Sequence, residues 1–181
     1  MTRLLAVTLV CLALGACGVL KPLDLARMPP GTYGPGVDVD DGAIYNAETV
    51  FLPDGPLPSD PSTLALALAS VEYLGGEYNA GGRWGMVNGM VGATMDNARQ
   101  EIRRTLGISP EATSQQVVNT LLALHAATTE TTRLAALTNP IYTLGARATL
   151  DRLRAMPPLP LTRTAVQYAS HHLYDDLDLP L

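Results

Sequence analysis

Cysteine and lysine are almost missing from this 181-residue chain, and each shortage removes a class of function. The cysteines are Cys11 and Cys17. Everything after residue 17 therefore lacks a thiol, a disulfide and a cysteine metal ligand, and has to be stabilised by packing. The single lysine is Lys21. A phosphate-loop lysine and a Schiff-base lysine are thereby excluded from the later sequence. Basic residues number 12 against 17 acidic ones, for a formal net charge of −5. The densest basic group, Arg99, Arg103 and Arg104, is interrupted by Glu101. That is too sparse for nucleic-acid binding. No apolar run approaches the roughly 20 residues of a membrane-spanning helix. G-x-S-x-G, H-E-x-x-H and a dinucleotide-binding glycine motif are absent too, so no cofactor is implied.

From residue 60 onward, helix signals dominate. Asp60 is placed to cap a helix beginning at Pro61. Leu64, Leu68, Val71 and Leu74 give that helix an apolar stripe, and Gly75-Gly76 is its expected end. The spacing predicts a second helix over residues 83–106, stopped by Gly107. Thr113 and Gln116 form a capping box ahead of Val117, Leu121 and Leu124. A short helix is predicted near residues 130–138, and another from Asn139 and Pro140 with Ile141, Leu144 and Ala148 on one face. Thr162 is the expected cap of the last helix, where Leu161 staples onto Val166 and Val166, Ala169, Leu173 and Leu177 face inward. No strand-like alternation competes. The expectation is an all-α fold over residues 60–181, a small antiparallel bundle of five or six helices joined by short linkers.

The preceding zone differs. Seven prolines and six glycines fall in residues 18–60, near the density at which order is lost. Residues 17–59 read as an extended tether, with a reach of about 150 Å when extended and about 35–40 Å as a coil. Residues 43–52, with Ile44, Tyr45, Val50, Phe51 and Leu52, are a candidate strap that docks on the domain. Asp38, Asp40 and Asp41 do not match a calcium-loop spacing and read as a solvated acidic turn.

The first residues carry the strongest motif. Arg3 precedes an apolar run over residues 4–14, followed by the small pair Gly15-Ala16 and then Cys17. These are the parts of an export signal. Leu14-Gly15-Ala16-Cys17 resembles the lipobox of bacterial lipoproteins. The resemblance covers residues 1–18 and implies diacylglyceryl transfer to the Cys17 thiol, cleavage after Ala16 and acylation of the new amine. Two or three acyl chains give a stable anchor without a membrane-spanning helix. Gly18 stands where such proteins carry an inner-membrane retention aspartate. By that resemblance, the mature protein faces the periplasm from the outer membrane.

Three further candidates stand in the helical region. Gly81, Gly85 and Gly89 recur every fourth residue, and Gly85 and Gly89 are read as a small-residue packing face. His171 with Asp175, and His172 with Asp176, lie four apart on a helix and offer two metal-ligand pairs, with His125 as the only further histidine. Two such pairs do not make a specific site, so no metal residues are assigned. Glu72 and Glu77 precede a glycine-rich stretch from Asn79 to Met86. This segment resembles the glutamate and glycine-rich region of lytic transglycosylases, which implies a glutamate acting as general acid. The serine after that glutamate and the family's later glutamine-bearing motif are missing. The sequence therefore points to a non-enzymatic envelope lipoprotein with a structural or accessory role. Its partners would be the membrane, through the acylated Cys17, and an envelope protein. A histidine-based metal or ligand binder and a peptidoglycan-cleaving enzyme are the alternatives.

Overall fold

The caps and apolar spacings produce helices. In a computed structural model describing residues 24–79, 81–85 and 89–177, seven α-helices and no strand are found among the described residues. They are α1 (Val39–Phe51), α2 (Pro61–Glu77), α3 (Gly89–Leu106), α4 (Ser114–Ala126), α5 (Glu130–Ala136), α6 (Ala146–Arg154) and α7 (Pro160–Leu177). None is long and apolar enough to cross a membrane.

Helix α2 is the centre. Asp60 caps it through the Thr63 amide at 2.9 Å, and Pro61 is its first residue. Leu64, Ala65, Ala67, Leu68, Ala69, Val71 and Leu74 are all fully buried. With Ser70 and Tyr73, also buried, these positions go right round the helix, as expected for one enclosed by neighbours rather than laid on a core by one stripe. It packs against α1, α3, α4 and α6. Facing pairs show that three of these neighbours run antiparallel to it. Asp40 and Asn46 of α1 meet Tyr73 and Ser70, Arg99 and Arg103 of α3 meet Gly75 and Glu72, and Ser114 and His125 of α4 meet Glu72 and Ser62.

Gly75 and Gly76 do not end α2. They lie buried inside it because neighbours need the space. A Cβ on Gly75 would overlap the Arg99 side chain, and one on Gly76 would touch the backbone of Leu25.

The tether expectation fails for residues 24–59. Ala26 and Met28 belong to the core, and residues 39–51 form α1 rather than an extended strap. The prolines and glycines are confined to the flanks, and inside α1 only Gly42 remains. Asp38 caps the helix through the Asp40 amide at 2.9 Å. Ala43, Ile44, Ala47, Val50 and Phe51 recur at helical spacing and are buried against α2 and α7. A 13-residue helix is marginal alone. Burial of each of Ile44, Val50 and Phe51 contributes about 1.5–3 kcal/mol toward holding it.

Other boundaries shift for local reasons. Helix α3 starts at Gly89, since residues 81–85 form turns, with Gly81 at φ +114°. Gly107 does stop it, at φ +65°. Asn139 and Pro140 start no helix, because the segment after them pairs with the chain beyond α3. The Ser109 amide donates to the Ile141 carbonyl and the Thr143 amide to the Gly107 carbonyl, both at 2.8 Å. Helix α6 begins only at Ala146, and Leu144 is left exposed. Thr162 lies inside α7 and does not cap it. Glu101 of α3 does that work, accepting from the Leu161 amide at 3.2 Å and the Thr162 amide at 2.8 Å. Leu161 also lies inside α7, so it is not the residue before the cap that the expected staple onto Val166 requires, and it is exposed.

Candidate functional site

Two buried carboxylates organise the polar interior. Glu72 of α2 is fully buried. Its Oε1 accepts from Arg103 Nη2 at 2.5 Å, Ser114 Oγ at 2.7 Å and Arg99 Nε at 3.3 Å, and Arg103 Nε reaches its Oε2 at 3.3 Å. Arg99 and Arg103 lie four apart on α3 and so share a face. The same two guanidinium groups hold Asp24, with Arg99 Nη2 at 3.0 Å and Arg103 Nη2 at 3.4 Å from Oδ2. Asp24 also accepts from the Ser114 amide at 2.7 Å, at the first residue of α4, and the single Ser114 hydroxyl proton is shared between Asp24 Oδ2 at 2.8 Å and Glu72 Oε1. Two carboxylates thus balance two guanidinium groups. Burial raises the Asp24 carboxyl, but the Ser114 bonds and the charges of Arg99 and Arg103 outweigh it and hold it below the usual carboxylate range. The set fastens residue 24 to α2, α3 and α4 together.

The second carboxylate, Asp40 of α1, is 2% exposed. It accepts from the Tyr73 hydroxyl at 2.5 Å, Arg83 Nη1 at 2.7 Å and Trp84 Nε1 at 3.0 Å. The Arg83 guanidinium lies 4.7 Å over the Trp84 ring. Asp40 is therefore no solvated acid, because it pins the turn before α3. Burial, then the bond to the Asp40 carboxylate, pushes the Tyr73 hydroxyl well above its ordinary range.

On the outer side of α1 an open groove of about 500 Å³ runs beside α2. Tyr33, Val37, Asp41, Tyr45, Asn46 and Leu66 line it. The Tyr33 hydroxyl lies 2.7 Å from Ser70 Oγ, which fixes its ring, and burial pushes that hydroxyl up to about 12. Gly42 allows the ring to lie on α1, since a Cβ there would come within 2.5 Å of it. Tyr45 is 66% exposed.

The residues singled out from sequence fare differently. Ala16 and Cys17 lie outside the described residues. Gly89 is exposed, and a Cβ on it would meet no atom of the described residues within 4 Å, so the packing role read for it is not seen. Gly85 is half-buried in a turn before α3. Close approach belongs instead to Gly92, whose Cβ would lie 2.5 Å from the Tyr78 carbonyl oxygen. His125 Nδ1 sits 3.0 Å from the Ser62 carbonyl, and its own carbonyl accepts from the Ser62 hydroxyl at 2.6 Å, so it ties α4 to α2. His171 is exposed, and the side chains of His172, Asp175 and Asp176 lie outside the described set. Among the described residues no three His, Cys, Asp or Glu side chains are grouped to hold a metal. Glu72 has no face open to a substrate, and Glu77 accepts from the Arg83 amide at 3.0 Å.

Sequence reasoning missed Asp24, Ser114 and the burial of Arg99 and Arg103. The available signal was Glu72 followed one turn later by Gly75, a small residue that admits a long side chain. Comparison with protein-family models, curated proteins and solved structures gives no match.

Proposed function

We propose that this chain is a lipid-anchored protein of the bacterial cell envelope. It is held by an acylated Cys17 on the periplasmic face of the outer membrane, and its helical domain works through protein contacts. The observation that carries this reading is Leu14-Gly15-Ala16-Cys17 behind an apolar run, and the position of Asp24 bounds the reach of the anchor. The lipobox-like residues end at Cys17, and seven positions later the chain is clamped to α3 and α4. Seven residues span at most about 25 Å. The domain would therefore sit close to the bilayer and meet partners at the membrane surface. The contact role is supported by the allocation of polar groups. Glu72 and Asp40 are committed to internal partners, while an aromatic-rimmed groove faces outward.

The test is Cys17→Ser in the intact gene. The expected outcome is loss of fatty-acid labelling and release from the membrane fraction. A variant that loses the label yet stays in the membranes would overturn the anchor.

A further inference from the structure

The groove on α1 is the feature that the internal networks leave unused, and its chemistry has a direction. Tyr33, Tyr45, Val37 and Leu66 supply apolar and aromatic surface. The charged lining residue is Asp41, and among the described residues no basic side chain lines the groove. Its volume, about 500 Å³, falls within the range of about 300–1,000 Å³ typical of binding pockets. The local field is negative. Partial desolvation and the neighbouring carboxylates of Asp38 and Asp40 push the Asp41 carboxyl above its ordinary value, and Arg83 opposes them. A cation beside Asp41 relieves that repulsion. Tyr45 is mostly exposed at the rim, and an exposed tyrosine beside a pocket is a common anchor of protein interfaces. A tyrosine face also attracts a lysine or arginine head group.

From this charge complementarity we infer that the groove binds a short apolar segment of a partner protein carrying a lysine or arginine. The cationic head is placed against Asp41 and Tyr45, and the apolar part against Tyr33, Val37 and Leu66. The inference rests on the protein-contact role and names the partner chemistry for it.

The full acylated chain in detergent, with empty micelles as blank, is titrated into a labelled leucine–lysine hexapeptide and into its leucine–glutamate counterpart. Fluorescence anisotropy reads the binding. The lysine peptide is expected to bind more tightly by about tenfold or more, and Tyr45→Ala and Asp41→Asn each to weaken it about tenfold. Both side chains are exposed, so the helical circular dichroism should not change in either variant. Equal affinity for the two peptides, or affinity unchanged in both variants, overturns the proposal. Self-association abolished by Tyr45→Ala would assign the groove to a second copy and likewise overturn it. Peptide binding retained in Cys17→Ser separates the two claims. Failed binding with normal membrane fractionation removes the groove alone, and failed acylation with normal binding removes the anchor alone.

Discussion

At the residue scale, the most consequential side chain is Asp24. It brings a second negative charge to a buried pair of guanidinium groups and fastens its segment to α3 and α4. Its carboxyl lies below the usual range in the folded protein. The unfolded chain therefore binds its proton at a higher pH than the folded chain does. The stability it contributes is present above the ordinary carboxyl range and is lost as pH falls through the lowered folded value. Asp24→Asn should consequently lower the urea midpoint at pH 7, and by less at pH 3. An equal deficit at both pH values would mean that Asp24 acts by shape and not by charge. Glu72 is the deeper partner. Its position one turn before Gly75 was visible in the sequence, but its partners were not, because Asp24 and Ser114 come from distant segments. Asp40 follows the same logic. Three acids in four residues look solvated until Tyr73, Arg83 and Trp84 converge on one of them.

At the element scale, helix α3 shows which glycines matter. Gly89 is at its exposed start, with nothing among the described residues within 4 Å of a Cβ. Gly92, one turn on, is pressed against the Tyr78 carbonyl. Gly89→Ala should leave the urea midpoint unchanged or raise it, with a gain of up to about 1 kcal/mol. Gly92→Ala should lower it, by about 1–3 kcal/mol as in other overpacked sites. Opposite signs within one helix are the measurement, and a neutral Gly92→Ala would remove the close approach. The caps at Asp60 and Thr113 and the stop at Gly107 were legible because each is a local event, decided within a few residues. Helix α1 was hidden because proline and glycine counts over 43 residues averaged a well-formed helix with its turn-rich flanks. The start of α7 was misplaced because its cap, Glu101, comes from α3 and leaves no local mark.

At the scale of the whole molecule, residues 24–59 belong to the domain. Limited proteolysis should leave residues 24–59 on the stable fragment, and hydrogen exchange should protect the amides of α1. A stable fragment beginning near Asp60, with α1 unprotected, would return these residues to a tether. If Cys17 is the anchor, this also shortens the link to the bilayer from 43 residues to seven. The domain is then confined to within about 25 Å of the lipid instead of ranging up to about 150 Å.

The sequence by itself determined the helical class, most helix centres and several caps, because periodicity and capping act over one or two turns. It also held the lipobox-like residues, which a short linear motif carries complete. Only the tertiary structure decided which charges are buried together. It also decided why two glycines lie inside α2, and that a turn-rich N-terminal segment packs as a helix. Each of these depends on atoms from segments far apart in the chain, and on space that one segment leaves for another.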